Sequence, residues 1–391
     1  MEGFFKNVQL MRILFCTSTF EHINHGPAKF ANLLLDINAT YPEHELRVLT
    51  EDISEYKVDT YNGLVYRLDL KLNPIQNLVG LVYRMKPYYR QAAAIKQEYD
   101  YDILVFNNAI IGIESAKKLT IPVVGMINDD NSLTTSLSNF ELNKRWFRSW
   151  IFKYFESVAC KTEARIIVNS KFLLKEVKEA YDIQSKRISK LYKSVDVKGI
   201  RFVLRNGLQE NIKVLFVKSN YYNGGLFDLL DALGSLTRYT FNLRIVGPEK
   251  ASFHSIEKYA INKGYKNLSM NILGRLNQEE VFKEMHEADI FSVPSKQEAL
   301  GVANIEALMH GLPVVATSAG GIPEVLGYGR YGWLAKPSDH LSLAEAFQHC
   351  LDDEEDRKRR TSLGNDHVRR KFNKEVMLDK FVSIMESVLV K

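Results

Sequence analysis

From residue 11 almost to the C-terminus, short apolar runs alternate with longer amphipathic stretches, and this alternation constrains the fold more than any other feature. Such a pattern predicts parallel sheets flanked by helices. Arg12-Ile13-Leu14-Phe15-Cys16 reads as a first buried strand. A polar loop through Gly26-Pro27 follows, and then a helix with Phe30, Leu33, Leu34 and Ile37 on its apolar side. Further strands are expected at 46–49, 103–106, 123–127 and 166–168. A second series opens at Val214-Leu215-Phe216-Val217 and continues at 243–246, 268–273, 290–293 and 314–316. Apolar patterning lapses between 194 and 211. The expectation is two doubly wound α/β domains, residues 1–198 and 199–374, with a ligand cleft beyond their strand ends. Residues 375–391 form a last helix that packs back toward the first domain.

Composition narrows the class. The chain has 391 residues, 46% apolar and 25% charged, as in a soluble globular protein of two domains. No 18-residue stretch is free of charge, so a spanning helix is not expected, and the first ten residues do not read as a secretory signal. Cys16, Cys160 and Cys350 are too far apart in sequence for metal-ligand spacing, which fits a reduced, cytoplasmic setting. A net charge of +5 is too modest and too spread for a dedicated nucleic-acid binder, though it suits anionic ligands.

The segment 289–326, DIFSVPSKQEALGVANIEALMHGLPVVATSAGGIPEVL, carries the chemistry. A strand ends at Pro294-Ser295, and the chain turns through Lys296-Gln297-Glu298 to Gly301. A helix is predicted from Val302 to Met309, stopped by Gly311 with Pro313 beyond. Its first backbone amides suit a diphosphate, and Gly301 lets a ligand approach the backbone closely. Glu298 precedes this anion site and Glu306 lies two turns on. Carboxylates beside a phosphate are awkward unless they accept hydrogen bonds from hydroxyls, and sugar and ribose hydroxyls are the obvious donors. A pair of glutamates eight residues apart is, on its own, ordinary on a solvated helix.

In its full context the E-x7-E pattern from Glu298 to Glu306 resembles the signature of retaining glycosyltransferases of family four, which have the GT-B fold of two Rossmann-like domains facing a central cleft. The Pro-Ser strand end, the Gly311-to-Thr317 strand, the Gly320-Gly321-Ile322-Pro323-Glu324 loop and the 265–275 segment fit the same pattern, so the resemblance covers nearly the whole chain. It implies that Glu298 contacts the donor sugar near the reacting centre, that Glu306 binds the donor ribose, and that amides around Leu300, Gly301 and Val302 hold the diphosphate. Gly274-Arg275-Leu276 falls where the family lines the nucleobase pocket, and Gly26 where it places a glycine loop near the phosphates. Each of these also has a plain reading, as a strand-end turn and a helix start.

Two departures stand out. Where the family reads Gly-Arg and then Lys-Gly, this chain reads Lys218-Ser219 and then Asn223-Gly224-Gly225, so Lys218 is the expected cation and Asn223 offers a neutral amide. Where many relatives carry His-Asp after the fifth strand, this chain has Asn128-Asp129. Asn128 hydrogen-bonds but exchanges no proton, and Asp129 is placed toward the acceptor. No metal or other cofactor is implied. Asp100-Tyr101-Asp102 precedes its strand rather than following it, and His22-x-x-His25 lacks a third ligand. The implied activity is retaining transfer of a hexose-type sugar from a nucleotide-diphosphate sugar to a glycan or lipid-linked acceptor, in cell-surface polysaccharide synthesis. A nucleotide-sugar epimerase of the same fold and a non-catalytic nucleotide-sugar-binding subunit are the alternatives. The basic-aromatic stretch 144–155, if helical, would meet the inner face of a membrane peripherally.

Overall fold

The computed structural model describes residues 10–21, 26–133, 144–196, 200–205 and 207–390. The chain divides into two compact units. One holds the chain up to Tyr192 and takes it back from Met377; the other is Lys193–Val376.

The first unit is a seven-stranded sheet of β1 (Met11–Thr17), β2 (His44–Thr50), β3 (Val65–Arg67), β4 (Ile103–Phe106), β5 (Val123–Ile127), β6 (Arg165–Val168) and β7 (Ile188–Lys190). Their order is β3-β2-β1-β4-β5-β6-β7, and every pairing is parallel. An all-parallel sheet must be covered on both faces, and β1 shows how. Its alternate residues Ile13 and Phe15 pack with Phe30, Leu34, Leu378 and Phe381, whereas Leu14 and Cys16 pack with Tyr88, Ala92 and Ile95. The last helix, Lys374–Leu389, thereby contributes residues from Met377 onward to the first unit's core.

The second unit repeats the plan with β8 (Asn211–Val217), β9 (Thr240–Val246), β10 (Leu268–Gly274), β11 (Ile290–Phe291), β12 (Val315–Thr317) and β13 (Trp333–Ala335). The order is β10-β9-β8-β11, and a single parallel bridge from Phe291 to Val314 leads on to the β12-β13 pair. Both units therefore have the Rossmann-like order, in which the winding reverses beside the first strand. The reversal lies between β1 and β4 in one unit and between β8 and β11 in the other, and ligands of such sheets bind outside the carboxyl ends of those strands.

Strand β11 covers only Ile290–Phe291 of its apolar run, although the Ser292 amide still donates to the Leu215 carbonyl at 2.9 Å. Strands β3, β7 and β13 have three residues each, too few for a periodic signal.

Candidate functional site

In the second unit, the loops leaving β8 and β11 meet at the switch point. The two strands are neighbours, with Phe291 opposite Leu215, and the Ser292 amide donates to the Leu215 carbonyl at 2.9 Å. Lys218, the first residue past β8, reaches Glu298 in the loop after β11 and forms a hydrogen-bonded ion pair with it. Both side chains are mostly covered, 27% and 19% exposed, so the pair is worth more than a surface bridge. Glu298 is therefore not a solvated charge. Its carbonyl also accepts the Gly321 amide at 3.1 Å, which ties the 298–301 turn to the Gly320-Gly321 loop after β12.

Gly301 sits at φ 90°, where a side chain is strained, and opens helix Val302–Met309 without any capping side chain. The first amides of this helix keep their partial positive charge toward the loop. Leu300 is buried, Val302 half-buried, and Glu306 is 7% exposed on the same helix. Asn304, one turn in and 2% exposed, has a carboxamide oxygen with no hydrogen-bond partner. A polar residue among Val302, Ala303 and Ile305 was the signal that could have marked it. Asn223 contributes its carbonyl, which accepts the Lys296 amide at 2.8 Å. At the neighbouring strand end the Gly247 amide donates to the Gly274 carbonyl at 2.7 Å; Leu276 is half-buried, and exposed Arg275 pairs with Glu249 at 2.5 Å. Lys218, Asn223, Glu298, Leu300, Gly301, Val302 and Glu306 thus belong to the β8 and β11 exits. Gly274, Arg275 and Leu276 belong to the exit of edge strand β10.

Asn128, Asp129 and Gly26 lie in the first unit. There the exits of β1, β4, β5 and β6 are joined by a chain of amides that the sequence reading missed. Asn107 donates to Thr17 Oγ1 at 3.2 Å, Asn128 to the Asn107 carbonyl at 2.7 Å, and Asn169 to the Asn128 carbonyl at 2.8 Å. The Oδ1 atoms of Asn128 and Asn169 have no partner, which leaves two acceptors at the strand ends. Asp129 caps its own loop by accepting from the Asn131 amide at 3.1 Å. Gly26 is exposed at the start of helix Gly26–Leu35, and His22 and His25 lie outside the described residues. Asp102 accepts the Arg12 amide at 2.8 Å, and Asp100 pairs with Arg12 and Lys96, so both serve the amino end of the sheet. Among the described residues no His, Cys, Asp and Glu group has the arrangement of a metal site.

Two units of Rossmann-like order, one carrying a glycine-opened helix with acidic residues at its switch point, are the plan of the GT-B fold. Residues 201–366 match the family described as Glycosyl transferases group 1, and residues 42–198 match Glycosyltransferase Family 4. The chain belongs to the family-four glycosyltransferases of GT-B fold. An uncharacterized glycosyltransferase of Methanocaldococcus jannaschii is 24% identical over 353 residues, covering 86% of this chain and 87% of the relative. The amylovoran biosynthesis glycosyltransferase AmsK of Erwinia amylovora is 29% identical over 191 residues, 47% and 46% of the two chains. Among solved structures, Anabaena HepE in complex with UDP-glucose superposes with a TM-score of 0.73 at 19% identity, over 96% of this chain and 100% of that one.

Proposed function

We propose that this glycosyltransferase retains configuration as it moves a hexose-type sugar from a nucleoside diphosphate to a hydroxyl of a glycan or lipid-linked acceptor, in cell-surface polysaccharide synthesis. The carrying observation is the covered Lys218–Glu298 pair beside the uncapped start of helix Val302–Met309, with Glu306 buried on that helix. The amylovoran relative and the UDP-glucose complex of HepE support a polysaccharide product and a nucleotide-sugar donor.

In this reading the leaving diphosphate takes over Lys218 and the helix amides, which stabilise the charge that develops as the glycosidic bond breaks. Glu298, relieved of its ammonium partner, accepts hydrogen bonds from donor-sugar hydroxyls, and Glu306 accepts from the ribose. A leaving-group phosphate oxygen receives the acceptor proton, so the protein contributes positioning and fixed charge and no metal is needed. Asn128 and Asp129 meet acceptor hydroxyls, and Gly274, Arg275 and Leu276 meet the base.

The acceptor side belongs to a peripheral, cytoplasmic membrane surface. Helix Lys144–Thr162 exposes Phe147, Trp150 and Tyr154 along one face, its cations Arg148 and Lys161 are also exposed, and its one acid, Glu156, is buried. No helix among the described residues is long and apolar enough to cross a membrane.

Kinetics test the assignment. With saturating donor, Glu298→Gln is expected to lower turnover by about 100-fold with little change in donor affinity, whereas Glu306→Ala weakens the donor by roughly tenfold. Turnover should survive EDTA. Wild-type turnover in Glu298→Gln would remove the role given to Glu298, and change of the donor alone, with no acceptor consumed, would mark an epimerase.

A further inference from the structure

Two lysines flank the turn that opens helix Leu226–Ser235. Lys218 packs beside Gly224, where an added Cβ would lie 2.7 Å from the Phe216 ring, 3.0 Å from the lysine Cγ and 3.1 Å from its Cβ, so the missing side chain leaves room for both neighbours. On the other side the Lys296 amide donates to the Asn223 carbonyl, and the Pro294 carbonyl closes on Gly225 inside the distance any side chain would tolerate. Residues 223–225 are thus clasped between the exits of β8 and β11. Gly225, at φ 74°, caps the helix with no side chain, and the first helical amide, that of Leu226, donates to the Tyr221 carbonyl at 3.0 Å.

The charge balance of these loops is short of a cation. Lys218 is already opposed by Glu298. A diphosphate brings about two further negative charges into a partly desolvated place, and unpaired charge there is costly. Between 218 and 225 and between 292 and 301 the sequence offers two cations, Lys218 and Lys296. Lys296 is three-quarters covered, yet its ammonium is loosely held: 3.5 Å from Asp228 Oδ2, beyond good hydrogen-bond length, and 4.7 Å from the Tyr222 ring centroid. Asp228 lies in the first turn of helix Leu226–Ser235, where the backbone dipole favours its charge, and its Oδ2 is buried with no hydrogen-bond partner.

We propose that Lys296 is the second cation of the diphosphate site, exchanging Asp228 for a phosphate oxygen when a nucleotide binds. The proposal rests on the reading of the second unit as a nucleotide-sugar site. Its test is calorimetric titration of the full chain with UDP, GDP and ADP, and then, for the best of these, with its nucleoside. Lys296→Met is expected to weaken the diphosphate by about tenfold and leave the nucleoside within about twofold, with Lys296→Arg recovering most of the loss. Asp228→Asn, which removes the competing carboxylate, is expected to tighten the diphosphate by about threefold, a gain that damage to the fold does not produce. Unchanged diphosphate affinity in Lys296→Met, an equal loss for nucleoside and diphosphate, or weaker binding in Asp228→Asn overturns the role of Lys296 alone. A wild-type chain that binds none of the three nucleotides overturns the donor-site reading along with it.

Discussion

Glu156 and Glu163 are acids that the first unit keeps out of water, on and just beyond helix Lys144–Thr162. Both oxygens of Glu163 are buried without a hydrogen-bond partner, and Gly112 and Gly125 leave the space its carboxyl fills. Desolvation holds that group well above the usual carboxylate range. Glu156 is different because Ser132 and Tyr181 both donate to it. Burial pushes its carboxyl up to about 7, against those two hydrogen bonds and with help from Asp129. A raised acid binds its proton more tightly in the folded state. Its contribution to stability is therefore complete below the unfolded value of about 4.3 and is lost as pH rises through about 7. Thermal unfolding of wild type and Glu156→Gln at pH 5 and pH 8 checks this: wild type should lose about 2 kcal/mol more than the variant. Parallel losses would mean that the carboxyl is ionised in the fold throughout. Ser132 anchors the loop that begins with Asn128 and Asp129, so the same titration bears on that loop.

Among the elements, helix Lys144–Thr162 has a packed side and an exposed one. Ala159 and Cys160 are buried with Glu156, while Phe147 is 58% exposed, Trp150 45% and Tyr154 60%, all on one face at helical spacing. Rings with exposed cations beside them fit the headgroup region of an anionic bilayer. Trp146, in contrast, is half-buried. Flotation with phosphatidylglycerol vesicles should show wild type bound and a Phe147→Ser/Trp150→Ser/Tyr154→Ser variant at least about fivefold less so, an effect of apolar area that high salt does not mimic. Equal partitioning of the two proteins would remove the membrane surface from the account. The strands carry a separate lesson. Central strands such as Ile103–Phe106, buried along their whole length, were readable as apolar runs. Edge strand β10 shows a mixed burial pattern along Leu268–Gly274 and was still readable from its apolar residues; three-residue β13 was not.

At the scale of the molecule, two Rossmann-like halves were legible because each repeats the same alternation of buried strand and amphipathic helix. The helix Val302–Met309 was legible to its ends because glycines bracket it at 301 and 311. What escaped was pairing at a distance. Lys218 lies 80 residues from Glu298, Asn128 is 41 from Asn169, and no local pattern announces either contact. Lys296 was read as one residue of a turn, since only the folded chain sets its amide against Asn223 and its ammonium near Asp228. The proposed activity requires the second unit to hold a nucleotide sugar through those loops, and ligand-dependent unfolding measures that most directly, because a ligand bound only by the native state raises its stability by mass action. With millimolar UDP, GDP and ADP sugars, at least one is predicted to raise the wild-type midpoint by several degrees, as binding at about 100 times Kd contributes about 2.7 kcal/mol, with most of the shift lost in Glu306→Ala. A flat response to every nucleotide sugar, or the same shift in wild type and Glu306→Ala, would contradict it.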